Sequence, residues 1–235
     1  MKRTTNYLVT TLCLALFSVP VLADCVIFLH GLARTAESLS DIAEAFERRG
    51  FVTENIDYPS RSQPVEQLAA SAIERGITQC AVSSAEKIHF VTHSMGGILV
   101  RYYLSTVSMA NIGAVVMLAP PNQGSEVVDN LKSVPGFKWF NGPAGTQLGT
   151  DKNSLPAKLG PVDYPVGVIA GNRTFNPILS LFLPNPDDGK VSVERTKVEG
   201  MSDFVVIPVS HPFIMDDEEA ISQAVNFIEQ GRFDK

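Results

Sequence analysis

Six short apolar runs recur along the chain, and amphipathic segments separate them. Most of the runs are apolar on both faces, as strands are in a parallel sheet that helices cover on both sides. We predict these runs to be strands: Cys25–His30, Phe51–Tyr58, Lys87–Thr92, Ala114–Ala119, Pro165–Ala170 and Asp203–Val209. Alternation of strands and helices implies right-handed βαβ crossovers. We therefore expect an α/β fold with a doubly wound, mainly parallel sheet of about six strands and helices on both faces.

The segments between the runs have the periodicity of helices. Between the first two runs, four apolar residues recur with helical spacing, namely Leu39, Ile42, Ala43 and Phe46. Gly50 indicates where this helix ends. Ser62 is expected to cap a second helix that tolerates Pro64 in its first turn. A last helix is expected near Asp217 to Gln230.

The first 23 residues have the pattern of a secretory signal peptide. Lys2 and Arg3 precede an apolar stretch from Tyr7 to Val19. Pro20 and then Val21-Leu22-Ala23 follow, with small residues at the two positions that a signal peptidase reads. The pattern predicts cleavage after Ala23 and export to a periplasmic or extracellular location. The apolar stretch is too short for a comfortable membrane span.

Removal of the signal peptide sets the length and net charge of the mature chain, which limit the partners and cofactors to be expected. It would leave 212 of the 235 residues (235 − 23), which suits a single domain over 24–235. Two basic residues would leave, so the formal charge would change from −6 to −8. A negative chain without a basic cluster excludes nucleic acid as an expected partner. No histidine or cysteine spacing is typical of metal ligands, so we expect no metal and no cofactor. We favour a monomer.

One turn combines a predicted strand with small residues. The strand Ile88 to Val91 is followed by Ser94 and then by a predicted helix, Gly96 to Leu104. Ligands of doubly wound sheets bind beyond the carboxyl ends of the strands, so a side chain on this turn projects into the binding crevice. The N–H groups at the helix start point toward whatever binds there.

This turn, Thr92-His93-Ser94-Met95-Gly96, resembles the nucleophile elbow G-x-S-x-G of the α/β-hydrolase superfamily, with Thr92 in place of the first glycine. Three further segments share the resemblance: "HGL" from His30, "MLAPPNQGS" after the next strand, and "DDGKVSV" followed by "VIPVSHPFIM". The chain is similar to small secreted bacterial lipases and esterases that are serine hydrolases. The resemblance implies that Ser94 is the nucleophile and that an aspartate and a histidine follow it in that order.

Four histidines are available to activate a serine. His211 follows the last predicted strand at the carboxyl edge of the sheet, and it is the expected base. The ring of His93 should diverge from the Ser94 hydroxyl, because the two residues are neighbours in a tight turn. His89 lies in mid-strand and is expected to pack in the core, while His30 is expected to brace its own loop.

The acid has three candidates. Asp188 precedes Gly189, and the resemblance implies that the triad acid is on such an Asp-Gly pair. Asp187 is adjacent, and Asp203 opens the last predicted strand. The first two aspartates could also simply form a turn, which this sequence favours without any catalysis.

The resemblance also implies an oxyanion hole made by the backbone N–H groups of Leu32 and Met95, since backbone groups are the usual donors. With the triad, this set implies hydrolysis of carboxylic esters through an acyl-enzyme intermediate. An acyltransferase or a thioesterase would use the same triad, and a non-catalytic lipid-binding protein remains a further alternative. The expected substrate is a small-molecule or lipid ester.

Two segments bear on the substrate. An apolar stretch between a strand and the expected acid could line an acyl pocket, contact a lipid interface transiently, or form a short helix packed into the core, which we favour; it contains Phe175, Ile178, Leu179, Leu181, Phe182 and Leu183. Residues 122–164 are long for a crossover and contain four prolines, so they are expected to form a small cap.

Cys25 and Cys80 are the cysteines of the mature chain, and export permits a disulfide bond. In the sheet order implied by the resemblance, the strands that start near these residues are parallel neighbours. Both cysteines then fall at the edge opposite the active site, within reach of a bond. Two buried free thiols are the alternative.

Overall fold

The computed structural model describes residues 23–234, so the predicted signal peptide lies, up to residue 22, outside the described residues. Its centre is one parallel sheet with the order β2-β1-β3-β4-β5-β6. The strands are β1 (Cys25–Leu29), β2 (Val52–Ile56), β3 (Ile88–His93), β4 (Ile112–Leu118), β5 (Val166–Gly171) and β6 (Asp203–Ile207). The predicted doubly wound parallel sheet is thereby confirmed.

Helices follow the strands as the alternation predicted. After a short 3-10 helix (Ala36–Leu39) they are α1 (Ser40–Glu47), α2 (Val65–Val82), α3 (Met95–Thr106), α4 (Glu126–Leu131), α5 (Phe137–Thr146), α6 (Leu155–Lys158), α7 (Pro177–Ser180), α8 (Val193–Thr196) and α9 (Glu218–Gln230). Asp217 caps α9, because its side chain accepts a hydrogen bond from the Ala220 N–H. Of the helices described, none is long and apolar enough to cross a membrane.

The two faces of the sheet have separate cores. In β1, Ile27 and Leu29 point to the core beneath α2 and α3, whereas Val26 and Phe28 point to the core beneath α1 and α9. All residues of β1 are fully buried. This two-sided burial explains why β1 is uniformly apolar in sequence.

The start of α2 differs from the prediction that Ser62 caps it. The N-cap is Pro64, and the Ser62 N–H instead closes a turn on the Pro59 carbonyl. A residue that precedes proline disfavours helical backbone angles, so the helix cannot begin before Pro64. The Val65 N–H donates to the side chain of Gln147 at 2.8 Å, which replaces the expected serine cap.

The prediction that residues 175–183 form a core helix is wrong. The helix here, α7, is only four residues long and buries none of them, and Ile178 and Leu181 are 69% and 83% exposed. Asn176 caps it and Pro177 fixes its first turn, so local hydrogen bonds rather than packing define it. Of the apolar side chains in this stretch, Leu183 is buried.

Residues 122–164 carry three helices, α4, α5 and α6. The middle one bends at Gly142, whose φ of 67° is left-handed and whose Cβ position would overlap the backbone of Arg61. The segment lies beside the carboxyl ends of the strands. Its role as a cap stays a prediction.

A disulfide bond joins Cys25 at the amino end of β1 to Cys80 in the last turn of α2, with Cα atoms 5.8 Å apart. β1 and β3 are parallel neighbours, as the predicted pairing required. The bond therefore ties α2 to the sheet at the edge opposite the carboxyl ends of the strands.

We predict that the bond stabilises the fold by about 3–5 kcal/mol, because it closes a long loop in the unfolded chain. Reduction should lower the melting temperature of the wild type. The double variant Cys25→Ala/Cys80→Ala should melt at the lower temperature with or without reductant. Two free thiols in protein recovered from an oxidising compartment, counted by mass spectrometry, would contradict the prediction.

Candidate active site

Ser94 occupies a sharp turn between β3 and α3. Its backbone angles, φ 53° and ψ −119°, are strained for a residue with a side chain. Its N–H donates to the Leu118 carbonyl at 2.8 Å, which fixes the turn to β4. A Cβ on Gly96 would overlap the Leu29 carbonyl, so α3 can begin against β1 only because residue 96 is glycine.

The turn also accommodates Thr92, where the resemblance has glycine. The side chain is fully buried, and its hydroxyl donates to the Val116 carbonyl at 3.2 Å. Gly97 leaves the necessary space, since a Cβ there would lie 3.3 Å from the threonine oxygen. The absence of a side chain at Gly97 therefore provides the space that Thr92 occupies.

Ser94, His211 and Asp188 form a continuous hydrogen-bonded chain. Nε2 of His211 lies 3.0 Å from the Ser94 hydroxyl, and Nδ1 lies 2.7 Å from Oδ2 of Asp188. A carboxylate only accepts hydrogen bonds, so Nδ1 carries the ring proton and Nε2 accepts from the serine. The structure therefore brings together the three residues that the sequence suggested.

Asp188 is buried and has hydrogen-bond donors on both side-chain oxygens. The residue is fully buried, and Oδ1 accepts from the backbone N–H groups of Lys190 and Val191 at 2.9 and 2.8 Å. These two donors are not evident from the sequence patterns described above. An Asp-Gly turn followed by a strand-like run was the signal that could have indicated them.

The other two acid candidates have different partners. Asp187 accepts from the Ser180 hydroxyl at 2.6 Å and from the Gly189 N–H at 2.7 Å, so it stabilises the turn. Asp203 accepts from the N–H groups of Phe204 and Phe233, near the amino end of β6. Neither carboxylate is hydrogen-bonded to His211.

The remaining histidines lie in the protein interior. Nε2 of His93 donates to the backbone carbonyl of His211 at 3.1 Å, so its ring does turn away from the Ser94 hydroxyl. His89 accepts from the Ala114 N–H and donates to Asp24. His30 stacks on Tyr58 and bonds to the carbonyl of the next residue, Gly31, which braces the loop before Leu32.

A cavity of about 240 Å³ opens beside Ser94. Much of its wall is apolar and comes from the 122–164 segment and the stretch around α7, including Val127, Val128, Phe137, Leu148, Phe175 and Leu179.

The two residues expected to form the oxyanion hole are Leu32 and Met95. Leu32 lines the cavity, and Met95 is the first residue of α3. Within residues 23–234, neither N–H of this pair donates to a protein acceptor. No group of three or more potential metal ligands is found among the described residues.

Several solved structures share this architecture. BlEst2, a lipase of Bacillus licheniformis, gives a TM-score of 0.66 in its mature form, at 17% identity over 86% of this chain and 90% of that one. The phospholipase PlaB from Legionella pneumophila gives 0.63 at 19% identity, over 80% of this chain and 54% of that one. The metagenomic carboxyl esterase MGS0156 gives 0.60 at 22% identity, over 83% and 67%.

At these identities the likeness shows the fold, which is the α/β-hydrolase fold that the sequence resemblance implied. No protein-family model matches the sequence, and no match is found among curated proteins.

We predict that stability falls when the pH falls below the ordinary histidine pKa of 6.5. Burial lowers the pKa of His30, His89 and His93 in the folded chain. Between the folded and unfolded pKa values the unfolded chain binds more protons, so these groups stabilise the fold above pH 6.5 and lose this contribution below it. Each can contribute up to about 1.4 kcal/mol per pH unit.

Urea unfolding between about pH 7.5 and pH 5 measures this loss, before most carboxylates titrate. A flat free energy of unfolding over this window would contradict the prediction. NMR titration of the three ring C–H resonances provides the control, since none should titrate at the pKa of the unfolded chain.

Proposed function

We propose that the protein is an exported serine hydrolase that cleaves carboxylic esters through an acyl-enzyme intermediate. The observation that carries the proposal is the hydrogen-bonded chain from Ser94 through His211 to Asp188 at the mouth of an apolar cavity. A serine hydroxyl is a weak nucleophile, and it needs this kind of base and orienting group. Structural neighbours that are lipases and esterases support the same class.

The geometry suggests how each residue acts. His211 takes the Ser94 proton as the hydroxyl attacks the ester carbonyl. Asp188 holds the ring in the required tautomer and stabilises the imidazolium, which is favourable because the pair is buried. His211 then protonates the departing alcohol and later activates the water that releases the acid.

The negative oxygen of the tetrahedral intermediate needs donors that are already in place. Leu32 lines the cavity, and Met95 is the first residue of α3, directly after Ser94. Their N–H groups are available to a ligand because no described protein acceptor holds them. The start of α3 adds the positive end of a helix dipole. Loss of one such donor typically costs about 2.7–4 kcal/mol in transition-state stabilisation.

Export and cleavage after Ala23 belong to the same proposal. The disulfide bond between Cys25 and Cys80 fits an oxidising compartment. The single domain over 24–235 with a cap within 122–164 is likewise proposed, and the helices along the cavity wall support it.

Product analysis with added alcohols separates hydrolysis from acyl transfer, because only a transferase forms mainly new ester.

We expect a fluorophosphonate probe to label the wild type covalently, since the probe reacts with an activated serine. Ser94→Ala should not be labelled, and it should lose hydrolysis across a chain-length series of nitrophenyl esters. Ser125→Ala is a matched control, because this serine also lines the cavity but lacks a histidine partner among the described residues. Undiminished labelling of Ser94→Ala would exclude Ser94 as the nucleophile.

The two adjacent aspartates allow a sharp test of the acid. Asp188→Asn should lower kcat by roughly 10³–10⁴, because the amide leaves His211 in the wrong tautomer. Asp187→Asn should stay within about threefold of the wild type, because that carboxylate bonds to Ser180 of α7 and to the Gly189 N–H rather than to His211. His211→Ala should lose several orders of magnitude. The reverse pattern for the two aspartates would move the acid to Asp187 and leave the fold unaffected.

A further inference from the structure

Two cations line the cavity that contains Ser94. Arg34 follows the loop of Leu32, and Lys190 follows the turn that carries Asp188; both side chains are exposed at the cavity wall. Most other lining residues are apolar or uncharged, and the chain as a whole carries a formal charge of −6. A positive opening on a negative protein is a local feature that net charge does not explain.

Neither cation has an ion-pair partner within 4 Å in the part of the chain that the structure describes. Arg34 donates one hydrogen bond to the backbone carbonyl of Pro212 at 3.1 Å. The one carboxylate lining the described cavity is Asp188, and its oxygens are taken by His211 and by two backbone N–H groups. Asp216 lies close enough to Arg34 for the guanidinium to oppose the rise in its pKa, but the two residues form no ion pair.

The two cations line the same cavity and affect each other electrostatically. The surrounding protein lowers the pKa of the Lys190 ammonium, and the Arg34 guanidinium lowers it further, whereas Asp188 raises it. Two like charges that face the same opening repel each other. An anion between them would remove this repulsion and gain charge-assisted hydrogen bonds from both side chains.

The position of the cations relative to the triad indicates which part of an ester they would contact. Arg34 is bonded to Pro212, the residue after His211, and Lys190 is two residues beyond Asp188. Both therefore lie on the side of the base and the acid. In the proposed mechanism His211 protonates the departing alcohol, so the alcohol part of the ester lies on this side.

We propose that Arg34 and Lys190 select esters whose alcohol part carries an anionic group, such as a phosphate. This inference rests on the proposed hydrolase function and specifies its substrate class. Arginine binds phosphate through two parallel hydrogen bonds, and lysine binds it as a point charge. The phosphate could belong to a soluble acidic ester or to a phospholipid headgroup, which share this chemistry.

The test uses two soluble esters that share the acyl group and the scissile bond: monohexanoyl glycerol phosphate and monohexanoyl glycerol. The wild type should hydrolyse the phosphate ester with a kcat/KM about tenfold or more above that of the neutral ester. Raising the salt concentration from about 0.02 M to about 0.5 M should reduce this ratio, because screening weakens exposed charge pairs.

Variants assign the preference to the two side chains. Arg34→Gln and Lys190→Met should each lower the ratio several-fold, and the double variant should bring it close to one, because the kcat/KM for the phosphate ester falls more than that for the neutral ester. Lys87→Met is the matched control, because Lys87 is exposed before β3 at the opposite edge of the sheet. Faster hydrolysis of phosphatidic acid than of diacylglycerol in otherwise identical vesicles would assign the phosphate to a headgroup; a preference confined to the monomeric ester would assign it to a soluble substrate.

Equal kcat/KM values for the two esters would overturn the charge preference and leave the proposed hydrolase intact. Hydrolysis of neither ester, together with no labelling of Ser94, would instead overturn the proposed function. Binding of both esters to Ser94→Ala then tests the cation pair without catalysis. Tighter binding of the phosphate ester would support the pair as an anion site, and equal binding would refute it.

Discussion

The arrangement of the site depends on the close contact between the start of α3 and the end of β1. Gly96 fits directly over the Leu29 carbonyl, and no larger residue could take its place. This contact forces Ser94 into a left-handed conformation that costs about 1–3 kcal/mol. The N–H bond from Ser94 to Leu118 and the buried core around α3 offset that cost. The strain is what lifts the hydroxyl out of the sheet and into the cavity.

A parallel sheet then brings distant residues to the same edge. Ser94, Asp188 and His211 follow three different strands, β3, β5 and β6, whose carboxyl ends lie along the same edge of the sheet. The backbone completes the alignment, because the His211 N–H donates to the Asp188 carbonyl at 2.9 Å while their side chains pair. A buried carboxylate is costly without partners, and Asp188 has three. The loop that carries Asp188 is therefore held in place as firmly as the turn that carries Ser94.

The sequence predicted the elements that a strong pattern defines. All six strands were located to within three residues, because two-sided burial makes the four inner strands largely apolar and the edge strands β2 and β6 keep several apolar residues. The order Ser94, Asp188, His211 also followed from motifs at strand ends.

Residues 175–183 were wrongly predicted to pack in the core. An apolar run has the same sequence pattern whether it packs inside the protein or lines an opening. The positive charge at the opening could not be predicted from the sequence either. Arg34 and Lys190 are 156 positions apart (190 − 34), and only the fold brings them to the same cavity.

The position of the 122–164 segment could not be predicted either, because a buried cation is among the groups that anchor it. Arg101 of α3 donates to the backbone carbonyls of Asn122 and Gly160, both at 2.7 Å, and so ties down the two ends of this segment. It is 4% exposed, and within residues 23–234 no carboxylate pairs with it. Burial lowers its pKa to about 10, so it stays charged at neutral pH. From the sequence, an arginine in an apolar helix is predicted to lie on the surface. Here it joins the cavity wall to the helix whose first N–H belongs to Met95, so that the wall and the proposed oxyanion donor are held by one element.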